Sequence, residues 1–134
     1  MEQEVILCGT DVIIELYRNN QEIISELHKI EKKHIGISII TAGELIFGAL
    51  NKRELHQIQK DIKSLKSIYL NNDVGEIFLK LMSKYSLSHG LKIPDALIAS
   101  TAIAYQLELF TLNTKDFRFI KELELYHYRK NEQL

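Results

Sequence analysis

Short apolar runs alternate with longer segments of helical periodicity along this 134-residue chain. The apolar runs predict strands at 5–8, 35–39, 67–70 and 107–111, with a final edge strand at 123–128. Apolar residues at helical spacing predict helices at 11–18, 21–32, 41–50, 53–66, 73–86 and 95–107. Strands that alternate with helices are typical of a parallel sheet flanked by helices. We therefore predict one α/β domain over residues 1–134, with a central, mostly parallel sheet of about four or five strands.

Acidic residues stand where three apolar runs give way to helix-like runs. They are Glu44, Asp95 and Asp116, and Gly9 occupies the equivalent junction of the first unit. Strand-to-helix junctions of a parallel sheet open at one edge, so we expect these side chains to share a pocket. Grouped carboxylates repel one another, and a hard divalent cation such as Mg²⁺ or Mn²⁺ compensates them. The pattern predicts a metal pocket suited to phosphodiester hydrolysis, and the glycine indicates that this pocket is incomplete.

Each acid also has a purely structural interpretation. Glu44 lies three residues after Thr41, which is the spacing of a capping box, and the segment 73–76 repeats that spacing. Asp95 complements a helix dipole, and Asp116 follows an asparagine that can cap a short helix. For any single acid the structural interpretation is the more favoured one. Their common position at one edge of the predicted sheet favours the metal site.

The composition is ordinary for a globular protein, with 46% hydrophobic and 26% charged residues. The net charge is −1, so a nucleic-acid surface has to be a local patch. Cys8, the single cysteine, excludes an intramolecular disulfide and fits a reducing cytoplasm, and we expect it to pack in the core. No apolar run approaches the roughly 20 residues of a membrane helix, and the five histidines lack zinc-ligand spacing.

Four segments resemble the motifs of PIN-domain proteins, specifically the VapC-like toxin ribonucleases of toxin–antitoxin pairs. They are ILCGTDVIIELYR at 6–18, IITAGEL at 39–45, IPDALIA at 93–99 and TLNTKDF at 111–117. These segments occur in the family's order and span nearly the whole chain. The resemblance implies a Mg²⁺- or Mn²⁺-dependent endoribonuclease, a cognate antitoxin that inhibits it, and a homodimer.

The resemblance also assigns the site residue by residue. The family's catalytic metal-site acids fall on Glu44, Asp95 and Asp116, and its supporting polar positions fall on Thr10, Asp11 and Asn113. Gly9 stands where the family has its first aspartate. Taking Asp11 as that aspartate would break the match of the apolar residues that follow it. The resemblance therefore implies an enzyme weakened or inactivated by the loss of one ligand.

Binding of RNA requires cations beside the pocket, and the sequence offers Arg18, Lys92 and Lys115. The segment 126–130 mixes aromatic and basic residues, a composition that suits RNA stacking. A terminal edge strand protected by charges explains the same segment better. The three cations near the predicted pocket are therefore the preferred RNA contacts.

Two questions stay open at this level. Gly9 is either an engineered substitution in a toxic enzyme or a natural feature of a decayed or binding-only member. The function is either that of a weakened toxin ribonuclease or that of a non-catalytic, antitoxin-binding regulatory module, whose groove would use apolar residues of the early helices such as Tyr17 and Phe47. A housekeeping structure-specific nuclease is a third possibility, which the small size of the chain disfavours.

Overall fold

A four-stranded parallel sheet with strand order β3-β2-β1-β4 forms the centre of the protein. The strands of this computed structural model, which describes residues 5–133, are β1 (Ile6–Cys8), β2 (Ile35–Ser38), β3 (Lys66–Ile68) and β4 (Leu109–Phe110). The parallel sheet and its flanking helices confirm the predicted α/β architecture.

Six α-helices flank this sheet in the described part of the chain. They are α1 (Thr10–Tyr17), α2 (Gln21–Ile30), α3 (Ile39–Phe47), α4 (Lys52–Ser64), α5 (Asn72–His89) and α6 (Ile93–Ala104). Short 3₁₀ helices occur at Lys32–His34, Thr114–Asp116 and Arg129–Gln133. Pro94 lies in the first turn of α6, as predicted. Over residues 5–133, no helix has the length and apolar character needed to cross a membrane.

The strand β1 is central because it pairs with β2 on one side and with β4 on the other. Leu7 pairs with Leu109 and Cys8 with Phe110, so the sheet joins segments about a hundred residues apart. The order of the strands reverses beside β1, and the carboxyl ends of β1 and β4 diverge there into separate connections. Such a point is where parallel α/β sheets form their binding crevices.

The core lies on both faces of the sheet. Leu7 and Leu109 are fully buried on the face covered by α5 and α6, whereas Cys8 and Phe110 are fully buried against α1, α2 and α3. This division follows from the alternation of side chains along a strand. Burial and the charge of Asp11 raise the pKa of the Cys8 thiol to about 12, which is consistent with the packing role expected for it.

The helix caps differ from the predicted ones. Ser38 caps α3 by accepting a hydrogen bond from the Thr41 amide at 3.0 Å, so the capping box predicted at Thr41 is wrong. Asn71 caps α5 by accepting from the Val74 amide at 2.9 Å, and the box predicted at 73–76 is also wrong. Both helices begin earlier than predicted because a side-chain acceptor becomes available as soon as the preceding extended segment ends.

The end of α2 and the C-terminal edge strand also differ from the predicted elements. The helix α2 ends at Ile30, because Glu31 adopts a left-handed conformation with a φ of 75°. The edge strand predicted at 123–128 is reduced to an isolated parallel bridge between Leu109 and Leu125. The C-terminal segment therefore touches β4 without extending the sheet as a fifth strand.

Substitution of Asn71 by alanine tests the position of the cap. We expect Asn71→Ala to lower the free energy of unfolding by about 1 kcal/mol, because the Val74 amide loses its acceptor. The control Asp73→Ala, two residues further along the chain, should cost less than about 0.5 kcal/mol. Urea unfolding of both variants measures the difference, and a larger loss for Asp73→Ala would return the cap to residue 73.

Candidate active site

A cavity of about 210 Å³ opens at the carboxyl edge of the sheet, beside β1 and β4. Its polar lining contains Gly9, Thr10, Asp11, Glu44, Asp95, Asn113 and Asp116, together with Thr111. Ile14, Ile98 and Phe117 form the apolar part of the wall. The three predicted metal acids, the glycine and the three predicted supporting residues therefore lie around one cavity.

Each acid reaches this cavity from a different element. Glu44 stands in the second turn of α3, Asp95 in the first turn of α6, and Asp116 at the end of the 3₁₀ helix that follows β4. Gly9 is the residue that precedes α1. The first turn of α6 adds the partial positive charge of a helix N-terminus beside Asp95, which favours an ionised carboxylate there.

A row of hydroxyl groups orients Glu44. Thr10 Oγ1 lies 2.6 Å from Glu44 Oε1 and 3.0 Å from Thr41 Oγ1, and Ser38 Oγ lies 3.3 Å from Thr41 Oγ1. A hydroxyl carries one proton and a carboxylate only accepts, so the Thr10 hydroxyl donates to Glu44. The row continues through buried Thr41 to the end of β2. These contacts fit the supporting role predicted for Thr10, which stays a prediction, and Thr41 and Ser38 extend the same row.

Asp11 ties the start of α1 to the segment after β4. Its Oδ2 accepts from the Leu112 amide at 2.8 Å and lies 3.1 Å from the Thr111 hydroxyl, while its Oδ1 accepts from the Val12 amide at 2.9 Å. These contacts join residues about a hundred positions apart in the chain. The Asp11 carboxylate therefore uses both of its oxygens to hold together the two elements that border the cavity. No local sequence pattern reveals this role.

Asp116 and the residues around it form a second local network. The Asn113 side-chain amide donates to Asp116 Oδ2 at 2.5 Å, and the Asn113 backbone amide donates to the Thr111 hydroxyl at 3.0 Å. Asn131 donates from its side chain to the Thr111 carbonyl at 2.9 Å, linking the C-terminal segment to the site. Asn113 therefore supports Asp116 through its side chain and does not cap a helix with it. Thr111 and Asn131 were not predicted, because their contacts depend on the tertiary fold.

Gly9 has a backbone conformation that any residue can adopt, with φ −70° and ψ 165°. A Cβ atom at this position would meet Asp11 Oδ1 at 2.9 Å and the Phe110 carbonyl oxygen at 3.3 Å. The closer neighbour is the end of a side chain, which can turn, although three hydrogen bonds hold it in place. A side chain at position 9 therefore requires the Asp11 carboxylate to turn away and the Phe110 carbonyl to shift by a few tenths of an ångström.

Asp95 is the carboxyl group most affected by the others. Burial raises the pKa of Asp95, and the charges of Asp116, Glu44 and Asp11 raise it further, while Lys92 lowers it. The fold thus holds several negative charges around one half-buried carboxyl group without enough positive charge to offset them. A cation bound in the cavity would offset this repulsion and favour the ionised form of Asp95.

The donor set fits a divalent cation such as Mg²⁺ or Mn²⁺ in its chemistry. The acids offer hard carboxylate oxygens, and Mg²⁺ commonly takes one or two protein carboxylates and keeps several waters. Within residues 5–133, however, no three His, Cys, Asp or Glu side chains are placed to hold one ion together. Position 9, where the resemblance places a fourth acid, offers no side chain to this arrangement.

The cations predicted to contact RNA lie outside the cavity lining. Arg18 forms an ion pair with Glu15 at 3.1 Å, at the end of α1. Lys92 precedes α6 and acts on Asp95 through its charge, and Lys115 is exposed next to Asp116. Lys92 and Lys115 are thus the better placed of the three, and their contact with RNA stays a prediction.

The structure is a parallel α/β domain with acids around a cavity at the carboxyl edge of its sheet, and comparison with known proteins identifies the family. The PIN domain matches residues 6–123, and the chain belongs to the PIN-domain family. It is 31% identical to ribonuclease VapC1 of Methanocaldococcus jannaschii over 96% of this chain and 90% of that protein.

Solved structures of toxin–antitoxin proteins have the same fold. A toxin–antitoxin complex from Klebsiella pneumoniae has a chain with a TM-score of 0.76 and 30% identity, over 92% of this chain and 99% of that one. A chain of VapBC-1 from nontypeable Haemophilus influenzae has a TM-score of 0.78 and 25% identity, over 91% of this chain and 96% of that one. The VapC-like resemblance of the sequence motifs is confirmed.

Neutralisation of Asp95 tests the electrostatic cost of the cavity. Because the pKa of Asp95 is raised by folding, its ionised form destabilises the folded state above that pKa. We expect Asp95→Asn to raise the free energy of unfolding at pH 7 in chelator by less than about 1 kcal/mol, because solvent screens this half-exposed group. The gain should vanish as the pH falls below about 4, where the carboxyl group is protonated in both states.

Thermal unfolding of both proteins, followed at pH 7 and below about pH 4 and with and without Mn²⁺, measures the stability gain and the effect of the ion. The ion should stabilise the unsubstituted chain more than Asp95→Asn, because it binds the folded carboxylates. Asp73→Asn removes an acid of α5 outside the cavity and serves as the control. Equal effects of the ion on all three proteins would contradict a cation site at Asp95.

Proposed function

We propose that this chain is a VapC-like endoribonuclease toxin of a toxin–antitoxin pair, with activity weakened by Gly9. The observation that carries the proposal is the meeting of Glu44, Asp95 and Asp116 around one cavity, with the charges of the other acids raising the pKa of Asp95. The similarity to ribonuclease VapC1 and to chains of toxin–antitoxin complexes supports the choice of RNA as substrate and of an antitoxin as partner.

The proposed cofactor is Mg²⁺ or Mn²⁺, held by Asp95 with help from Glu44 and Asp116. A divalent ion supplies an activated water and charge stabilisation for in-line hydrolysis of a phosphodiester. Thr10 keeps the Glu44 carboxylate at the cavity, and Asn113 does the same for Asp116. Asp11 holds the cavity walls together through Leu112. Loss of such orienting partners typically reduces metal affinity or activity by about ten- to a hundredfold.

Gly9 weakens this site by removing an oxygen ligand beside Thr10 and Asp11. Its neighbours keep the surrounding network intact, and its backbone conformation suits any residue. The missing function is therefore expected to be recoverable by a side chain at this one position.

A second function, binding of an antitoxin without cleavage, is favoured by an exposed groove beside the cavity. This apolar groove has a volume of about 660 Å³ and includes Ile14, Tyr17, Leu45, Leu50 and Ile58. Leu50 is 85% exposed, and Phe47 in the same region is 92% exposed. An apolar face of a partner helix fits such a groove. Ile14 and Glu44 line both the groove and the cavity, so an occupant of the groove would cover the site.

Replacement of Gly9 tests the nuclease. We expect Gly9→Asp to cleave a mixed RNA pool in Mg²⁺ or Mn²⁺ at least about tenfold faster than the unsubstituted chain, because one carboxylate ligand is restored. Gly9→Asn, which has the same shape without the charge, should remain close to the unsubstituted chain. Chelator should abolish cutting by Gly9→Asp, and gel analysis of the RNA products measures the rates.

Two results would overturn this account of position 9. Equal cutting by the unsubstituted chain and Gly9→Asp would show that Gly9 is no defect and that Asp11 supplies the ligand. Absence of cutting by all three folded proteins, on a pool that covers many sequences and structures, would favour the binding module.

Substitution of Leu50 tests the antitoxin groove. We expect Leu50→Asp to weaken the complex with the co-expressed cognate antitoxin by more than tenfold, because a charge replaces an apolar contact in the groove. Leu87→Asp, at a fully exposed leucine of α5 outside the groove, is the matched control. Calorimetric titration measures both affinities, and equal binding by the two variants would place the antitoxin elsewhere.

A further inference from the structure

The outer face of α4 carries a row of basic residues that the proposed active site does not use. Arg53, His56, Lys60 and Lys63, here named the α4 ridge, are exposed and lie three or four residues apart on one side of the helix. With Gln57 and Gln59 they line a depression of about 460 Å³. The opposite side of α4 packs on the core through Ile58 and Ile62, so the ridge faces outward.

Arg53, Lys60 and Lys63 form no ion pair with an acid among the side chains that the structure describes. Four cations elsewhere do form one: Arg18, Lys29, Lys84 and Lys130 pair with Glu15, Glu26, Glu122 and Glu22. Asp61 of α4 is engaged by Gln57 at 2.9 Å and by the Tyr17 hydroxyl at 2.6 Å. The ridge is therefore a local positive patch on a chain with a net charge of −1.

The ridge is continuous with the candidate active site. Gln57 lines both the ridge depression and the apolar groove, and Glu44 and Ile14 line both the groove and the acidic cavity. A single surface path thus runs from the acids, across the groove with the half-exposed ring of Tyr17, to the ridge. The hydrogen bond between Tyr17 and Asp61 fixes α4 against α1 along this path.

Resting on the proposed nuclease function, we propose that the α4 ridge binds the phosphates of single-stranded RNA whose scissile bond lies in the acidic cavity. Arg53 and Lys63 are ten residues apart, so the ridge is about 15 Å long and faces several consecutive phosphates. Tyr17 offers an aromatic face for a base between the ridge and the cavity. The RNA thus approaches through positive charge and reaches the acids at one end of the path.

The chemistry of the ridge favours RNA over an acidic protein. All six residues of the depression are polar or charged, and two of them are lysines. Protein interfaces are depleted in lysine at their centres and have an apolar core, which this surface lacks. Contacts to phosphate use arginine, lysine and polar side chains such as glutamine, which is the composition found here.

Removal of the ridge charges is the first step of the test. The triple variant Arg53→Gln, Lys60→Gln, Lys63→Gln is compared with a control triple variant, Lys33→Gln, Lys80→Gln, Lys121→Gln, which removes as much charge from other exposed positions. The probe is a fluorescein-labelled, mixed-sequence 20-nucleotide RNA, and anisotropy is read in chelator so that no cutting occurs. Glutamine is a good helix former, so α4 should persist.

The ridge variant should bind this RNA at least about tenfold more weakly at 0.1 M salt. Its slope of log affinity against log salt should be shallower by about 2, since each phosphate contact to a single strand contributes about 0.7. The control variant should stay within about twofold of the unsubstituted chain. A single charge reversal, Lys60→Glu, should weaken binding in the same direction and perturbs the helix less.

Three outcomes would overturn the proposal. Equal losses in the two triple variants would mean that the RNA responds only to overall charge. No loss in either variant would leave the ridge without an RNA role. Equal loss of poly-glutamate binding would identify a general surface for acidic chains. Binding and cleavage are measured separately, so the two proposals can fail separately. If RNA binding depends on the ridge but Gly9→Asp does not cut, the nuclease proposal alone fails. If Gly9→Asp cuts but RNA binding does not depend on the ridge, the ridge proposal alone fails.

Discussion

The parallel pairing of β1 with β4 is the constraint on which the site depends. Leu7 and Cys8 pair with Leu109 and Phe110, and the alternation of their side chains supplies apolar contacts to both halves of the core. The same pairing brings the start of α1 beside the segment that follows β4. The hydrogen bond from the Leu112 amide to the Asp11 carboxylate then fixes these two walls of the cavity. Core packing and site geometry thus share one set of contacts.

The order of the strands explains why acids that are distant in sequence meet. Because the strands are parallel, the connections after β1, β2 and β4 open at one edge, and α6 begins near them. The strand order reverses beside β1, which leaves a crevice at that edge. Collecting Glu44, Asp95 and Asp116 there raises the pKa of Asp95 and costs stability. Functional sites commonly lower the stability of a fold in return for activity, and the network around these carboxylates fits that pattern.

Sequence patterns were sufficient for the architecture, and they placed Glu44 and Asp116 just after strands, where the structure has them. Asp95 was expected at a strand-to-helix junction too, but α6 follows α5 directly, so packing of α6 at the sheet edge brings this acid to the cavity. Patterns failed where the outcome depended on neighbours in space. Ser38 replaced Thr41 as the cap because β2 ended earlier than the apolar run, and the segment at 123–128 made one bridge without joining the sheet. The link from Asp11 to Leu112 spans 101 positions, and no local pattern encodes it.

In the proposed nuclease, Gly9 would affect the activation of water and not the holding of the substrate. Position 9 offers no side-chain oxygen to the cavity, whereas the hydroxyl row, the groove and the ridge are all present. A long polyanion gains most of its affinity from charges spread along its length, and those charges lie on α4, away from position 9. If the site acts as proposed, the absence of a carboxylate at position 9 is therefore expected to reduce cutting far more than binding. It would also lower the repulsion between the acids and the phosphate, so we expect the glycine form to retain RNA that it cuts poorly.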